Sequence, residues 1–495
     1  MLGIVAVLAI VFAVNWPFTR RGIIRRLERA SSLQVEIRSF RSTYFPPGCV
    51  AGDVVFRKPG DRDPKPLMVV HQLRIQSSYP GLFSHPKRIQ KIEVANVEIH
   101  LPPGGAPLKF QAEPDSKSSH SDGDSLVIEE FRAENTLLEL ARKNRNSNPL
   151  AFVIHDSVFR NVATGRTIPF TFSLHLPLPP GELKGSGWLG PWRDDHGSVR
   201  STPISGSCVL KNGDLGVFKS LAGEISAAVN FTGNLQKLEL SGNTNSPNFE
   251  VKESAHRFPL TTEFRGGVDL LNGDVSLPAL SARVGETNLI ANARIAGYPK
   301  TVELNVTEGK GRIQDLILLF SDAPRSPMTG PIHFHTSIVL PPERRPFKQR
   351  VQLAGAFDVD AAQFSSTETQ AHVDQLSQRA RGEKDKDAAA AQEVLSKLSA
   401  RIMLANGTAN FQQLSFAVPG ALANMHGTYN LEDKRVNLRG TMRMKATVSQ
   451  ATKGVKSFFL KILDPFYKKK GVGADVPISL TGRYGHTHFS AGLKK

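Results

Sequence analysis

The sequence predicts a mainly β protein of half-solvated antiparallel strands, on three observations. Apolar and polar residues alternate over long stretches, 41 Gly and 32 Pro punctuate the chain, and helical periodicity is confined to a few short segments. At 495 residues, 40% hydrophobic and 22% charged, the chain has room for about two to four ordinary domains or one elongated repetitive one, and wholesale disorder is excluded.

Residues 2–14 are uninterrupted apolar sequence, followed by Asn15, Trp16, Pro17 and Phe18 and then by Arg20, Arg21, Arg25, Arg26 and Arg29. This reads as a membrane segment, although about 17 residues is the lower limit for crossing a ~30 Å hydrocarbon core. A cleaved signal peptide, cut near Val11-Phe12-Ala13, is the rival reading; the lack of basic residues before the apolar run favours an uncleaved anchor. The positive-inside rule places the arginine flank in the cytoplasm, against export, unless the true start lies upstream or the arginines bind anionic headgroups on the far side. Trp16, Arg20, Arg21, Arg25 and Arg26 are the expected membrane contacts here. Ile23, Ile24, Leu27 and Ala30 recur at helical spacing, which fits either a basic helix on the membrane surface or a helix packed on the first sheet.

After residue 33 the period becomes that of strands. Phe170, Phe172, Leu174, Leu176 and Leu178 alternate with Thr171, Ser173, His175 and Pro177, as do Ile225, Ala227, Val229 and Phe231, then Val302, Leu304 and Val306, then Val351, Leu353, Phe357 and Val359. One greasy and one wet face per strand predicts antiparallel sheet, since buried parallel strands read as continuous apolar runs. Asn212-Gly213, Asn272-Gly273 and Asn406-Gly407 predict hairpin turns. Two stretches resemble copies of one hairpin, Phe231-Thr232-Gly233 leading to Leu238-Glu239-Leu240, and Tyr429-Asn430-Leu431 leading to Val436-Asn437-Leu438.

Residues 367–399 read as helical, broken by the charged stretch 381–387. Residues 453–467 place Val455, Phe458, Phe459, Ile462 and Leu463 on one face beside Lys456 and Lys461, predicting a basic amphipathic helix that lies on a membrane surface, with Phe458 and Phe459 in contact, or docks on its own core. Residues 102–125 and 179–202 read as flexible loops, the first a candidate domain boundary. The expected division is an anchor and juxtamembrane helix over 1–32, an N-terminal β segment over 33–125, a central meander over 126–365 and a C-terminal region over 366–495.

Two cysteines, Cys49 and Cys208, exclude a disulfide scaffold and any CxxC motif; they are expected as ordinary thiols, with a single bridge as the alternative in an oxidising compartment. The balance of 62 basic against 45 acidic residues, 62 − 45 = +17, favours polyanions such as an anionic membrane or nucleic acid. Scattered basic residues and few Tyr and Trp argue against nucleic acid. His333 and His335 share a strand face, but Ile332, Phe334, Ile338 and Leu340 hold the apolar register, so the histidines are expected in solvent and no metal site is expected; His486 and His488 receive the same reading. Asp358 and Asp360 share a polar face without a partner at interpretable spacing. No GxSxG elbow, Walker loop, HExxH helix or dinucleotide fingerprint occurs, so no catalytic residue and no cofactor are expected, and Gly266-Gly267 does not open a helix. The triplets at Asn230, Asn305 and Asn406 match the glycosylation sequon, a pattern common by chance.

Several motifs together resemble AsmA-like proteins of the bacterial envelope. They are Gly190-Pro191-Trp192, Pro203-Ile204-Ser205-Gly206 and Asn248-Phe249 in the middle, and in the carboxyl third Val373-Asp374-Gln375-Leu376-Ser377, Val418-Pro419-Gly420-Ala421, Gly427-Thr428-Tyr429-Asn430-Leu431 and Val476-Pro477-Ile478-Ser479-Leu480-Thr481-Gly482. Their order carries the resemblance, together with Leu33-Gln34-Val35-Glu36-Ile37 and residues 92–99 near the start. The resemblance implies a single-pass inner-membrane anchor and a periplasmic body built as a long curled antiparallel sheet forming an apolar groove, similar to chorein-type lipid bridges, with a few amphipathic helices. It implies a non-enzymatic lipid-transfer role in outer-membrane assembly, with phospholipids, an anionic membrane surface and other envelope proteins as partners. By strand parity the groove candidates are Phe170, Phe172, Leu174, Leu176, Val229, Phe231, Phe334, Phe357 and Val359. If about 25 strands stack at ~4.8 Å, such a sheet reaches on the order of 120 Å. Two alternatives stay open: a β-sandwich whose apolar faces pack on each other, and an envelope scaffold that binds proteins through its sheet edges. A hydrolase on a β scaffold would need convergent carboxylates or a nucleophile with its base, which the sequence does not offer.

Overall fold

The structure is a computed structural model that describes residues 17–60, 65–101, 126–141, 149–163, 165–191, 201–218, 220–297, 299–342, 345–381, 394–444, 475–483 and 486–491. These residues are mainly strand, in one 25-stranded mixed sheet with few helices. The chain divides into two compact units, the first made of Met1–Val217, Ile225–Gly242 and Gly267–Gly273, the second of Phe218–Glu224, Asn243–Gly266 and Asp274–Lys495.

The first unit begins with α1 (Arg20–Ser31), capped at its start by Thr19, which accepts a hydrogen bond from the Gly22 amide at 3.2 Å, and closed by Ser32 in the left-handed region. Its apolar face, Ile23, Ile24 and Leu27, packs on the sheet core, so of the two sequence readings the docked helix is the one observed. Then follow β1 (Gln34–Tyr44), β2 (Pro47–Arg57), β3 (Met68–Ser77), the one-turn α2 (Tyr79–Phe83), β4 (Lys87–Leu101), β5 (Leu126–Leu140), β6 (Leu150–Val162), β7 (Ile168–Pro177), β8 (Pro180–Leu189) and β9 (Pro203–Asp214). Each pairs with the next, and β9 with β11 (Glu224–Asn234), which follows the two-residue β10 (Leu221–Ala222).

The ladders from β1 to β9 are antiparallel except one. β4 and β5 run parallel, Ile92 beside Phe131, which corrects the all-antiparallel expectation. The long connection from Leu101 to Leu126 permits it, since a parallel return needs a dozen or more residues. Two further corrections concern loops. The stretch 179–202, expected as a flexible loop, contains β8, and Asn212-Gly213, expected as a turn, lies inside β9, with Asn212 at φ 53°.

Strands β12 (Lys237–Val251) and β13 (Arg257–Asp269) are shared between the units. The second unit continues with β14 (Val275–Val284), β15 (Thr287–Ala296), β16 (Thr301–Arg312), α3 (Ile313–Phe320), β17 (Met328–Thr329), β18 (Pro331–Leu340), α4 (Phe347–Arg350), β19 (Gln352–Phe364) and α5 (Thr367–Arg381). It ends with β20 (Ser396–Ala405), β21 (Thr408–Val418), β22 (Ala421–Asn430), β23 (Arg435–Met444), β24 (Asp475–Arg483) and β25 (His486–Ala491). The ladder runs β14, β15, β16, β18 and on in chain order to β25, all antiparallel, with β17 beside β19. The Asn406-Gly407 turn joins β20 to β21 with φ of 51° and 72°, a primed turn as the sequence predicts. Ser396–Ala405 is a strand, so the helix expected over 367–399 ends by Arg381 among the described residues. The expected loop 102–125 and helix 453–467, with Phe458 and Phe459, lie outside the described residues, as do Trp16 and the apolar run 2–14. Among the described residues no helix is long and apolar enough to cross a membrane.

Candidate functional site

Strand register shows what period-2 alternation builds when many strands are laid side by side. In the first unit Cys49 lies opposite Ile75, Ile75 opposite Ile92, Ile92 beside Phe131, Phe131 opposite Phe159 and Phe159 opposite Phe170. The row goes on through Gly187 and Gly206. The ring centroids of Phe131, Phe159, Phe170 and Phe172 follow one another at 6.0, 5.9 and 6.1 Å. A neighbouring row runs Val54, Val70, Val97, Thr136, Ile154 and Leu174, then Leu183 and Leu210. One face of the unit is therefore apolar from strand to strand.

The glycines in these rows are occupied from across the ladder. A Cβ on Gly187 would meet the Phe170 ring at 3.0 Å, one on Gly185 the Phe172 ring at 2.7 Å, and one on Gly206 the Phe231 ring at 2.7 Å. Aromatic rings therefore occupy the space that a side chain at these glycines would fill. Sequence reading missed these residues because Gly185 and Gly187 read as loop glycines; the signal was their shared parity, two residues apart.

Coverage changes along this face. Over β2 to β4 it is roofed by α1 and α2, through Ile23, Ile24, Leu27 and Leu82, and Cys49, Ala51, Val54, Leu73 and Val97 are buried. From β5 onward the large side chains Phe131, Phe159, Phe172, Leu174, Leu176, Val229 and Phe231 are only half-buried. Phe170, at 8% exposure, is an exception within that open part.

The second unit repeats the arrangement. Gly309, Phe334, Phe357, Ala400, Leu414 and Met425 face one another in succession, followed by Gly440 and Ile478. The Phe334 ring lies over Gly309, where a Cβ would meet it at 2.4 Å. The row alongside, through Ile332, Val359, Leu398, Phe416, Ala423 and Met442, is roofed instead by α3 and α5. Ile313, Leu316 and Ile317 of α3 bury Val359 to 1% exposure, so that groove candidate is core, whereas Phe334 and Phe357 stay half-buried. Gly233 and Gly427 adopt φ of 145° and 142°, and a Cβ on either would meet a carbonyl oxygen, of Lys237 at 2.3 Å and of Asn437 at 2.1 Å.

The opposite face carries charge. His71 faces Asp53 at 2.8 Å, His100 faces Glu139 at 2.9 Å and His175 faces Glu182 at 2.9 Å, while Arg132 binds Asp156 at 2.9 Å. The hydrogen bond from His175 holds Glu182 below the usual carboxylate range, and the bonds from Lys65 and His100 do the same for Glu139. Pairs of this kind, in reach of water, keep this face wet rather than adding much stability. His333, His335, His486 and His488 are exposed, as are Asp358 and Asp360, the last 3.4 Å from Lys397. Among the described residues no group of His, Cys, Asp and Glu is placed to hold a metal ion. Cys49 and Cys208 are free thiols on the apolar face, and burial pushes Cys49 up to about 12. Arg20, Arg21, Arg25 and Arg26 all lie on α1, where the Arg20 guanidinium donates to the Ile37 carbonyl.

Comparison with family models, curated proteins and solved structures finds no match to this chain.

Proposed function

We propose that this protein binds phospholipid along its apolar faces and moves it between membranes of a bacterial envelope, as a membrane-anchored, non-enzymatic carrier of the kind its resemblance to AsmA-like proteins implies. The observation that carries the reading is the unbroken apolar register with large side chains left half-exposed. A packed sandwich core would bury them. Burying an acyl chain gains about 0.8 kcal/mol per CH₂, and a face equally apolar from strand to strand offers neighbouring positions of similar energy, so a chain can advance without escaping a deep well. The headgroup stays in water beyond the strand ends, because the opposite face is charged and offers the tails nothing.

The test is transfer of a fluorescent phospholipid between two vesicle populations by the full chain. Phe172→Asp with Phe231→Asp places carboxylates on the open face, and loss of on the order of 1.4 kcal/mol of acyl contact slows transfer roughly tenfold. Unchanged transfer by a double variant with native circular dichroism rejects the reading.

A further inference from the structure

A second apolar feature lies at one end of the first unit, outside the open rows. A cavity of about 360 Å³ is walled by Phe18, Tyr79, Leu82, Phe83, Ile89 and Leu126, with the cations Arg26, Lys87 and Arg88 at its margin and Pro17 in its wall. Its size falls in the range of ligand pockets, about 300–1,000 Å³. Its surroundings are unusually greasy for a surface, with Phe83 72% exposed and Phe45 88% exposed. The patch is held together rather than loose: Tyr79 donates its hydroxyl to the Tyr44 carbonyl at 2.8 Å, and the Phe45 and Tyr79 rings sit 5.8 Å apart. Ser78 caps α2 by accepting from the Gly81 amide at 3.1 Å, which fixes where Phe83 projects.

Two facts point to the occupant. Pro17 follows directly on the apolar run 2–14 and Trp16, so the chain reaches the cavity from its most membrane-like segment. The margin is cationic, with Arg88 sharing its charge with Glu129 at 3.9 Å, and so complements a phosphate. Apolar walls with a cationic margin fit an amphiphile whose tail goes in and whose anionic head stays at the rim.

We propose that this cavity is the acceptor site for an anionic glycerophospholipid at the bilayer surface: one acyl chain enters between Phe83 and Leu126, the phosphate rests against Arg26, Lys87 and Arg88, and Phe45 and Phe83 dip into the interface. The inference rests on the carrier reading and gives it a loading point. Exposed aromatic rings beside Lys and Arg are suited to the headgroup level, and each cation near an anionic surface adds to the attraction, lessened by salt.

The experiment is site-specific photocrosslinking in the full chain, reconstituted in nanodiscs of phosphatidylcholine with or without phosphatidylglycerol. Benzoylphenylalanine replaces Phe83, Phe172 or, as a control exposed on the opposite face, Trp188, and phospholipid adducts are read by mass spectrometry. The expected result is an adduct at 83 that grows with phosphatidylglycerol and falls roughly tenfold or more in Lys87→Glu with Arg88→Glu, in protein whose circular dichroism is unchanged. An adduct at 83 indifferent to those reversals, or no more than at 188, overturns the acceptor site. Adduct at 172 with none at 83 overturns it while leaving the carrier reading intact; adduct at 83 with none at 172 keeps the site and removes the carrier reading.

Discussion

Phe357 and Val359 sit two residues apart on the same face of β19, one half-buried and the other 1% exposed, and they separate an open face from a closed core. Phe357→Asp and Val359→Asp place the same carboxylate at each. At Val359 the change removes a full valine burial, about 1.5–3 kcal/mol, and forces a carboxyl group under Ile313, Leu316 and Ile317, so the total cost is roughly 4–5 kcal/mol. At Phe357 only part of a side chain's burial is lost and the carboxylate reaches water, for about 1–2 kcal/mol. At roughly 2–4 °C per kcal/mol for a unit of this size, the difference of about 3 kcal/mol separates the two melting temperatures by roughly 6–12 °C. Thermal unfolding of the full chain by far-ultraviolet circular dichroism reads it. Equal and severe losses would mean that Phe357 lies in a sealed core, and the open-face reasoning would fall.

Gly427→Ala is expected to cost about 2–3 kcal/mol, because φ is 142° and the new methyl meets the Asn437 carbonyl at 2.1 Å, against about 1 kcal/mol for Gly407→Ala, where φ is 72° and the new methyl comes no nearer than 3.8 Å to Glu432 and the Lys348 carbonyl; denaturant midpoints of the two variants check the order. Glu182 has its folded value depressed, so it contributes stability above the ordinary carboxylate value of 4.5 that is lost as pH falls through the lower folded value; Glu182→Gln should flatten that acid limb of the melting curve, and an unchanged limb rejects the His175 bond as its cause. Iodoacetamide at mildly alkaline pH should leave Cys49, raised to about 12 by burial, unlabelled in the native protein and label it once denatured; fast native labelling by mass spectrometry would show that α1 does not cover it.

Much of the fold was legible because alternation is a local property. The parity of Phe170, Phe172 and Leu174 placed them on one face of β7, and Asn406-Gly407 gave the turn it encodes. What failed depended on neighbours distant in sequence. Asn212-Gly213 carries the same turn chemistry as Asn406-Gly407, yet its left-handed Asn sits within β9, where a strand irregularity and not a turn uses it. Gly185 and Gly187 read as loop because glycine is a breaker in isolation; the rings of Phe172 and Phe170 lying over them make them strand residues. Val359 reads as one more apolar strand position, and only the docking of α3 makes it core. The parallel β4 and β5 pair likewise follows from a long connection whose sequence carries no record of direction. The candidate face was legible residue by residue, but its partition into roofed and open rows was not, since helices α1, α3 and α5 decide it by packing.

The most direct test of the central claim is native mass spectrometry, with lipid extraction, of the full chain taken from membranes without added lipid. A lipid carrier should bring co-purifying phospholipid on the wild type that disappears from Phe172→Asp with Phe231→Asp while circular dichroism stays native; a wild-type chain that emerges free of lipid contradicts carriage.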